Sequence, residues 1–129
     1  MATLNLNDVL GGINYGQIVS MLFNARTNAH IAHLKTNSYA QHIALNEFYT
    51  QIVDLADRFA ESVRSDEIIQ NYEIGQLQSD IVSLLKSNQV TLLGFKAKLN
   101  PQKQGHLIQI LDDCVELYTT TLYKLTKLK

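Results

Sequence analysis

Three of the four histidines, His30, His33 and His42, fall inside one stretch of thirteen residues, and two acids, Asp57 and Glu61, stand four apart further along. Neutral imidazoles and carboxylates together make a donor set for a metal ion. Acids at i and i+4 share one face of a helix. The fifteen residues from His42 to Asp57, however, amount to roughly 22 Å of helix at ~1.5 Å per residue. A single chain cannot close that gap. Two copies packed antiparallel about a two-fold axis near Thr50 would bring His42 of one level with Asp57 and Glu61 of the other, and the symmetry makes two identical sites. At ~100° per residue, His42, Asn46, Tyr49, Val53 and Asp57 fall in one arc beside the apolar stripe, with Glu61 at its edge. The same residues admit a plainer reading. Flank histidines hydrogen-bond at surfaces, and the acids can share a solvated face with Arg58 and Arg64.

The elements that must position these groups follow from spacing. Ile18, Leu22, Ala25, Ala29 and Ala32 recur at three and four from about Tyr15 to Leu34, which predicts a first helix. Lys35 to Ser38 is polar, and Ser38 with Gln41 reads as a capping box opening a second helix, whose stripe of Leu45, Phe48, Ile52, Leu55, Phe59 and Val63 runs to about Arg64. Asp66 to Gly75 reads as a connector. A third helix is expected from Leu77 through Ile81, Leu84, Leu85, Leu92 and Phe95 to Leu99, stopped by Pro101. Asn100 as N-cap and Pro101 at the first helical position then predict a fourth helix with Leu107, Ile110, Leu111, Cys114, Leu117, Leu122, Leu125 and Leu128 on its apolar face. Four amphipathic helices of similar length predict an all-α four-helix bundle.

The chain has 129 residues, a length for one domain spanning 1–129. Its net charge is −1 with no cluster of Lys or Arg, so no direct nucleic-acid binding is expected. One cysteine, Cys114, can form neither an internal disulfide nor a thiolate metal cage. The first ten residues show no targeting pattern and no stretch approaches a membrane span, so the expectation is a soluble, cytoplasmic protein without a membrane partner. His106 reads as a surface residue. Cys114 reads as a small core residue, and Lys124, Lys127 and Lys129 complement the dipole at a helix C-terminus.

Read from Asn28-Ala29-His30 through His42 to Asp57-Arg58-Phe59-Ala60-Glu61, the sequence resembles the ferroxidase segment of the Dps-like branch of the ferritin superfamily. Compact ferritin-like proteins, some encoded by bacteriophages, are similar in this shortened way. The resemblance covers the first two helices and implies that His30 and His42 of one chain and Asp57 and Glu61 of its neighbour hold iron between subunits. It implies at least a dimer and, at its fullest, a twelve-subunit shell. Where the family usually has an Asp four residues after the second His, this chain has Asn46, a weaker ligand for a hard cation. Ile31 stands where a Trp commonly follows the first His, and no Lys-rich tail precedes the first helix. The family also runs a long crossover between its second and third helices. The roughly ten residues offered here, at ~3.3 Å each, barely span a bundle, so an up-down-up-down connection stays open.

Two functions follow. In the first, Fe(II) bound between subunits is oxidised by peroxide or dioxygen and sequestered if a shell forms. His30, His42, Asn46, Asp57 and Glu61 are then the metal ligands, with one firm iron position and a labile second, because two carboxylates neutralise a single divalent ion. In the second, the chain is a non-catalytic helical interaction or scaffold module on a ferritin-like fold, its metal site degenerate, with His33 and Tyr49 as ordinary interface residues.

Overall fold

A computed structural model describes residues 14–128, and the N-terminal stretch read above for targeting features lies outside them. The described residues form four helices, α1 (Tyr15–Lys35), α2 (Tyr39–Val63), α3 (Ile81–Ala97) and α4 (Gly105–Lys127), with no strand among them. Each start has a chemical reason. Asn14 and Gln17 bond reciprocally as a capping box at α1. Ser38 accepts from the Gln41 amide at α2, while the Gln41 side chain turns to Thr36 instead of closing the box. Asp80 caps α3 by accepting from the Ser83 amide and hydroxyl. These bonds hold the Asp80 carboxyl below its ordinary range.

Two expected boundaries move. Leu77 lies outside α3 and is exposed; the helix opens after the Asp80 cap, at Ile81, four residues on. Asn100 and Pro101 do not open α4 either. Asn100 accepts from the Gln102 amide and closes a separate turn over 101–103, and the helix begins at Gly105.

Packing fixes the connectivity. α1 lies against α2 and α3, and α4 against the same two; the backbones of α1 and α4, and of α2 and α3, do not approach each other, and across the α2–α3 diagonal the Phe59 and Phe95 rings meet edge to face. Lys124 pairs with Glu47 at 2.8 Å and Arg58 with Asp113 at 3.5 Å, so the start of α2 meets the end of α4 and the two run antiparallel. Asn88 to Tyr118 and Lys96 to Asp112 make α3 and α4 antiparallel as well. At the other end of the arrangement the Tyr15 ring packs on Phe59 and Phe95, and its hydroxyl accepts from Gln104 Nε2 at 2.6 Å, which ties all four helices together. Burial pushes the Tyr15 phenol up, against the opposing effect of the Gln104 bond. With α1 up and α2 down, α3 must also run down and α4 up.

The connection between the parallel, diagonal α2 and α3 is therefore a crossover, and it occupies seventeen residues, 64–80. The up-down-up-down alternative is ruled out. The crossover is seated on α1 by one face of that helix. Gly16 lies under Asn71, the Ser20 hydroxyl accepts from the Glu73 amide at 2.8 Å, and Asn24 lies against Gly75. Asn28 donates to the Gln76 carbonyl and accepts from the Gln78 amide at 2.6 Å. Four helical residues rise ~6 Å and two extended residues ~6.6 Å, so a stripe at i, i+4, i+8 and i+12 keeps step with every second residue of an extended chain. Behind these contacts the core is continuous from Ile18, Leu22 and Phe48 through Phe59, Leu85 and Leu92 to Leu111 and Tyr118.

Candidate functional site

The imidazoles meet where α1 ends and α2 begins. His33 and His42 rings stack with centroids 3.7 Å apart, and the bonding between them is reciprocal: His33 Nδ1 lies 2.8 Å from the His42 carbonyl, and His42 Nδ1 lies 3.1 Å from the His33 carbonyl. A carbonyl oxygen can only accept, so each Nδ1 carries the hydrogen and each neutral ring keeps its lone pair on Nε2. His30 stacks on Tyr49 at 4.0 Å and 10°, and His33 contacts both His30 and Tyr49 edgewise or tilted. Tyr49 donates to Asn46 Oδ1 at 2.8 Å. His33 is buried at 8 % exposure, while His30, His42, Asn46 and Tyr49 are half-buried on the flank shared by α1 and α2.

The helical register explains this grouping. His30 and His33 are one turn apart near the end of α1, and the three-residue turn folds the chain back so that His42 and Tyr49, two turns apart, face them. The sequence points to His30 and His42 as partners. The structure brings both to one patch but places His33 between them. His33 is the residue that sequence reasoning undervalued; its spacing of nine from His42 across a tight turn is the signal that marks it.

Asp57 and Glu61 do not join this patch within the chain. Asp57 is exposed on the same flank of α2, and it makes no hydrogen bond or ion pair among the described residues. Glu61 lines a shallow groove between α2 and α4 with Arg58, Ser62, His106 and Gln109. Among the described residues no three His, Cys, Asp or Glu side chains lie close enough to hold an ion. One chain thus presents imidazole donors at one end of the α1–α2 flank and the Asp57 carboxylate towards the other, with Glu61 turned to the α4 side of α2. Cys114 is buried and its thiol is pushed up to about 12, by burial first and by the nearby Asp113 carboxylate second. No helix among the described residues is long and apolar enough to cross a membrane.

Neither a curated protein nor a solved structure matches the chain. Residues 33–125, which contain His33, His42, Asn46, Asp57 and Glu61 but not His30, match a family described as a family of unknown function, DUF5856. Because that stretch covers most of the 129 residues, from the α1–α2 turn to the last turn of α4, the chain belongs to the family DUF5856.

Proposed function

We propose that the protein is a ferritin-like, iron-binding homo-oligomer in which His30 and His42 of one copy and Asp57 and Glu61 of another hold Fe(II) for oxidation by dioxygen or peroxide. The observation that carries this reading is the division of donors along one flank. His42, fixed through Nδ1 with Nε2 left to donate, lies at one end beside His30, and the Asp57 carboxylate, without an ion pair among the described residues, lies ~22 Å along the same helix at ~1.5 Å per residue. An antiparallel second copy superposes the two ends. Histidine held at one nitrogen by a carbonyl is the usual arrangement of a metal-binding imidazole. The nitrogen and oxygen donor set suits iron or zinc better than magnesium or calcium. The long crossover between parallel helices supports the ferritin-like part, since that connection is the one the resemblance implies.

Within such a site the chain's own groups have separate tasks. His42 and His33 keep each other's ring orientation, Tyr49 covers the face of His30, and Asp57 and Glu61 together supply the two charges that a divalent ion needs. Asn46 has its carbonyl occupied by the Tyr49 hydroxyl. It is the weak corner of the set, and the second iron position is accordingly labile. Anaerobic Fe(II) titration tests the proposal. Saturation near one ion per chain, followed on admission of air by near-ultraviolet absorbance of ferric product, supports it. Absence of saturable binding contradicts it.

One observation favours a second reading. The reciprocal His33–His42 bonds close the α1–α2 hairpin by themselves, so the pair has a structural task without any ion. On that reading the protein is a helical interaction module, and Fe(II) leaves it unchanged.

A further inference from the structure

Between α1 and the crossover lies a groove of about 370 Å³ lined by Ser20, Phe23, Thr27, Tyr72, Glu73 and Ile74. Its walls are apolar and open. Tyr72 is 52 % exposed and Ile74 wholly so. Its surroundings are acidic, because the crossover carries Asp66, Glu67, Glu73 and Asp80 against Arg64 alone. Glu73 has no ion pair among the described residues. An aromatic and aliphatic groove beside an unpaired carboxylate calls for a side-chain pair of the opposite kind, an apolar ring next to a cation.

The chain presents that pair itself. On the outward face of α4, Tyr123 is 58 % exposed and Lys127, one turn on, is exposed too. Lys124 is held by Glu47, whereas Lys127 has no ion pair among the described residues. Because α4 and α1 occupy diagonal corners and Tyr123 is exposed on the outward face of α4, a chain cannot seat its own Tyr123 in its own groove.

We propose that Tyr123 and Lys127 of one copy dock in the α1–crossover groove of a second copy, the ring against Phe23, Tyr72 and Ile74 and the ammonium on Glu73. Tyrosine is among the residues that dominate interface energies when seated in such a pocket. The two surfaces differ, so the contact is head-to-tail, and their diagonal placement lets every copy engage two neighbours. Such a contact extends to a ring, shell or filament instead of ending at a pair. A second copy fits better than an anionic lipid surface, which the acidic crossover would repel. The contact uses neither His42 nor Asp57 and stands apart from the iron reading.

Light scattering on the full chain at fixed micromolar concentration tests it. The wild-type mass should exceed twice 14.6 kDa. Lys127→Glu and Glu73→Lys should each lower that mass at least twofold, and the double variant, with the charges exchanged, should regain it. Ile74→Asp and Tyr123→Asp should each show no mass above that of a dimer when alone, yet gain mass when mixed, since one keeps the outward face and the other the groove. Saturable Fe(II) binding by any variant, measured alongside, reports on the iron site separately. A wild-type mass at or below that of a dimer, masses unchanged by the single substitutions, or a double variant that stays small would overturn the proposal. So would wild-type protein that co-sediments with phosphatidylserine vesicles in a Lys127-dependent way while its mass ignores Glu73→Lys, an outcome that assigns the face to lipid.

Discussion

Cys114 and Tyr118 lie one turn apart on the inner face of α4, and burial governs both. The thiol is pushed up to about 12 and the fully buried Tyr118 phenol is raised as well, the latter despite accepting from Asn88 Nδ2 at 3.0 Å. A raised folded-state value favours the neutral form in the fold. That contribution to stability is complete below the thiol's ordinary range and is lost as pH rises towards the raised value. Native protein at pH 8 should therefore resist iodoacetamide, with Cys114 alkylated at least tenfold faster once denaturant unfolds the chain; equal rates would place the thiol at a reactive surface. At the candidate site Asn46 is the residue to change. Asn46→Asp supplies a second-ion carboxylate and should tighten that ion by more than the ~10-fold that even an outer-shell partner is worth, with faster Fe(II) oxidation. Identical stoichiometry and rates in the two proteins would contradict a ferroxidase-type centre. The types and spacing of His30, His42, Asp57 and Glu61 are legible in sequence because a helix converts spacing into direction. The spacing of nine marks His33 and His42 as neighbours across the turn, but the bonding of their clasp is not legible, because it runs from side chains to backbone carbonyls and no side-chain pattern encodes a carbonyl's position.

The crossover is the element on which the connectivity depends, and it is held by a stripe of small and polar residues instead of an apolar one. Gly16 admits the Asn71 carbonyl where a Cβ would collide with it, and Asn28, 2 % exposed, satisfies two backbone groups of the crossover. Gly16→Ala should cost about 1–3 kcal/mol through overpacking against immovable backbone. Asn28→Ala should cost a similar ~1–3 kcal/mol by orphaning the Gln78 amide. Gly75→Ala, whose Cβ meets only the flexible Asn24 side chain, should cost less. Urea denaturation midpoints of the three variants check that order. Sequence periodicity located α1 and α2 to within a residue, because both carry unbroken apolar stripes and real caps. It misplaced the start of α3, where Leu77 continues the four-residue beat of Ile81 and Leu85 by coincidence, although the cap sits at Asp80. It also took Asn100-Pro101 as the opening of α4, since the same pair suits a short turn equally well. The Gly16, Ser20, Asn24 and Asn28 stripe has a regular spacing of four, but apolar periodicity does not register a stripe of small and polar residues.

At the scale of the molecule, the four helices separate three surfaces. The α1–α2 flank carries imidazoles and the exposed Asp57, the α1–crossover edge carries an acidic apolar groove, and the outward face of α4 carries Tyr123 and Lys127. On the proposals above, the first meets a second copy of itself about a two-fold axis, and the other two meet each other. The central claim is that an iron site is divided between two copies, and complementation tests it most directly. One variant lacks the imidazoles, His30→Ala with His42→Ala, and the other lacks the acids, Asp57→Ala with Glu61→Ala. Each alone should bind no Fe(II). After joint unfolding and refolding about half the dimers are mixed, and in each mixed dimer one site is whole while the other has lost both halves. Saturable Fe(II) binding should then return to about a quarter of the wild-type level, a consequence of isologous symmetry. No recovery from a mixture whose parents both still dimerise would contradict the shared site.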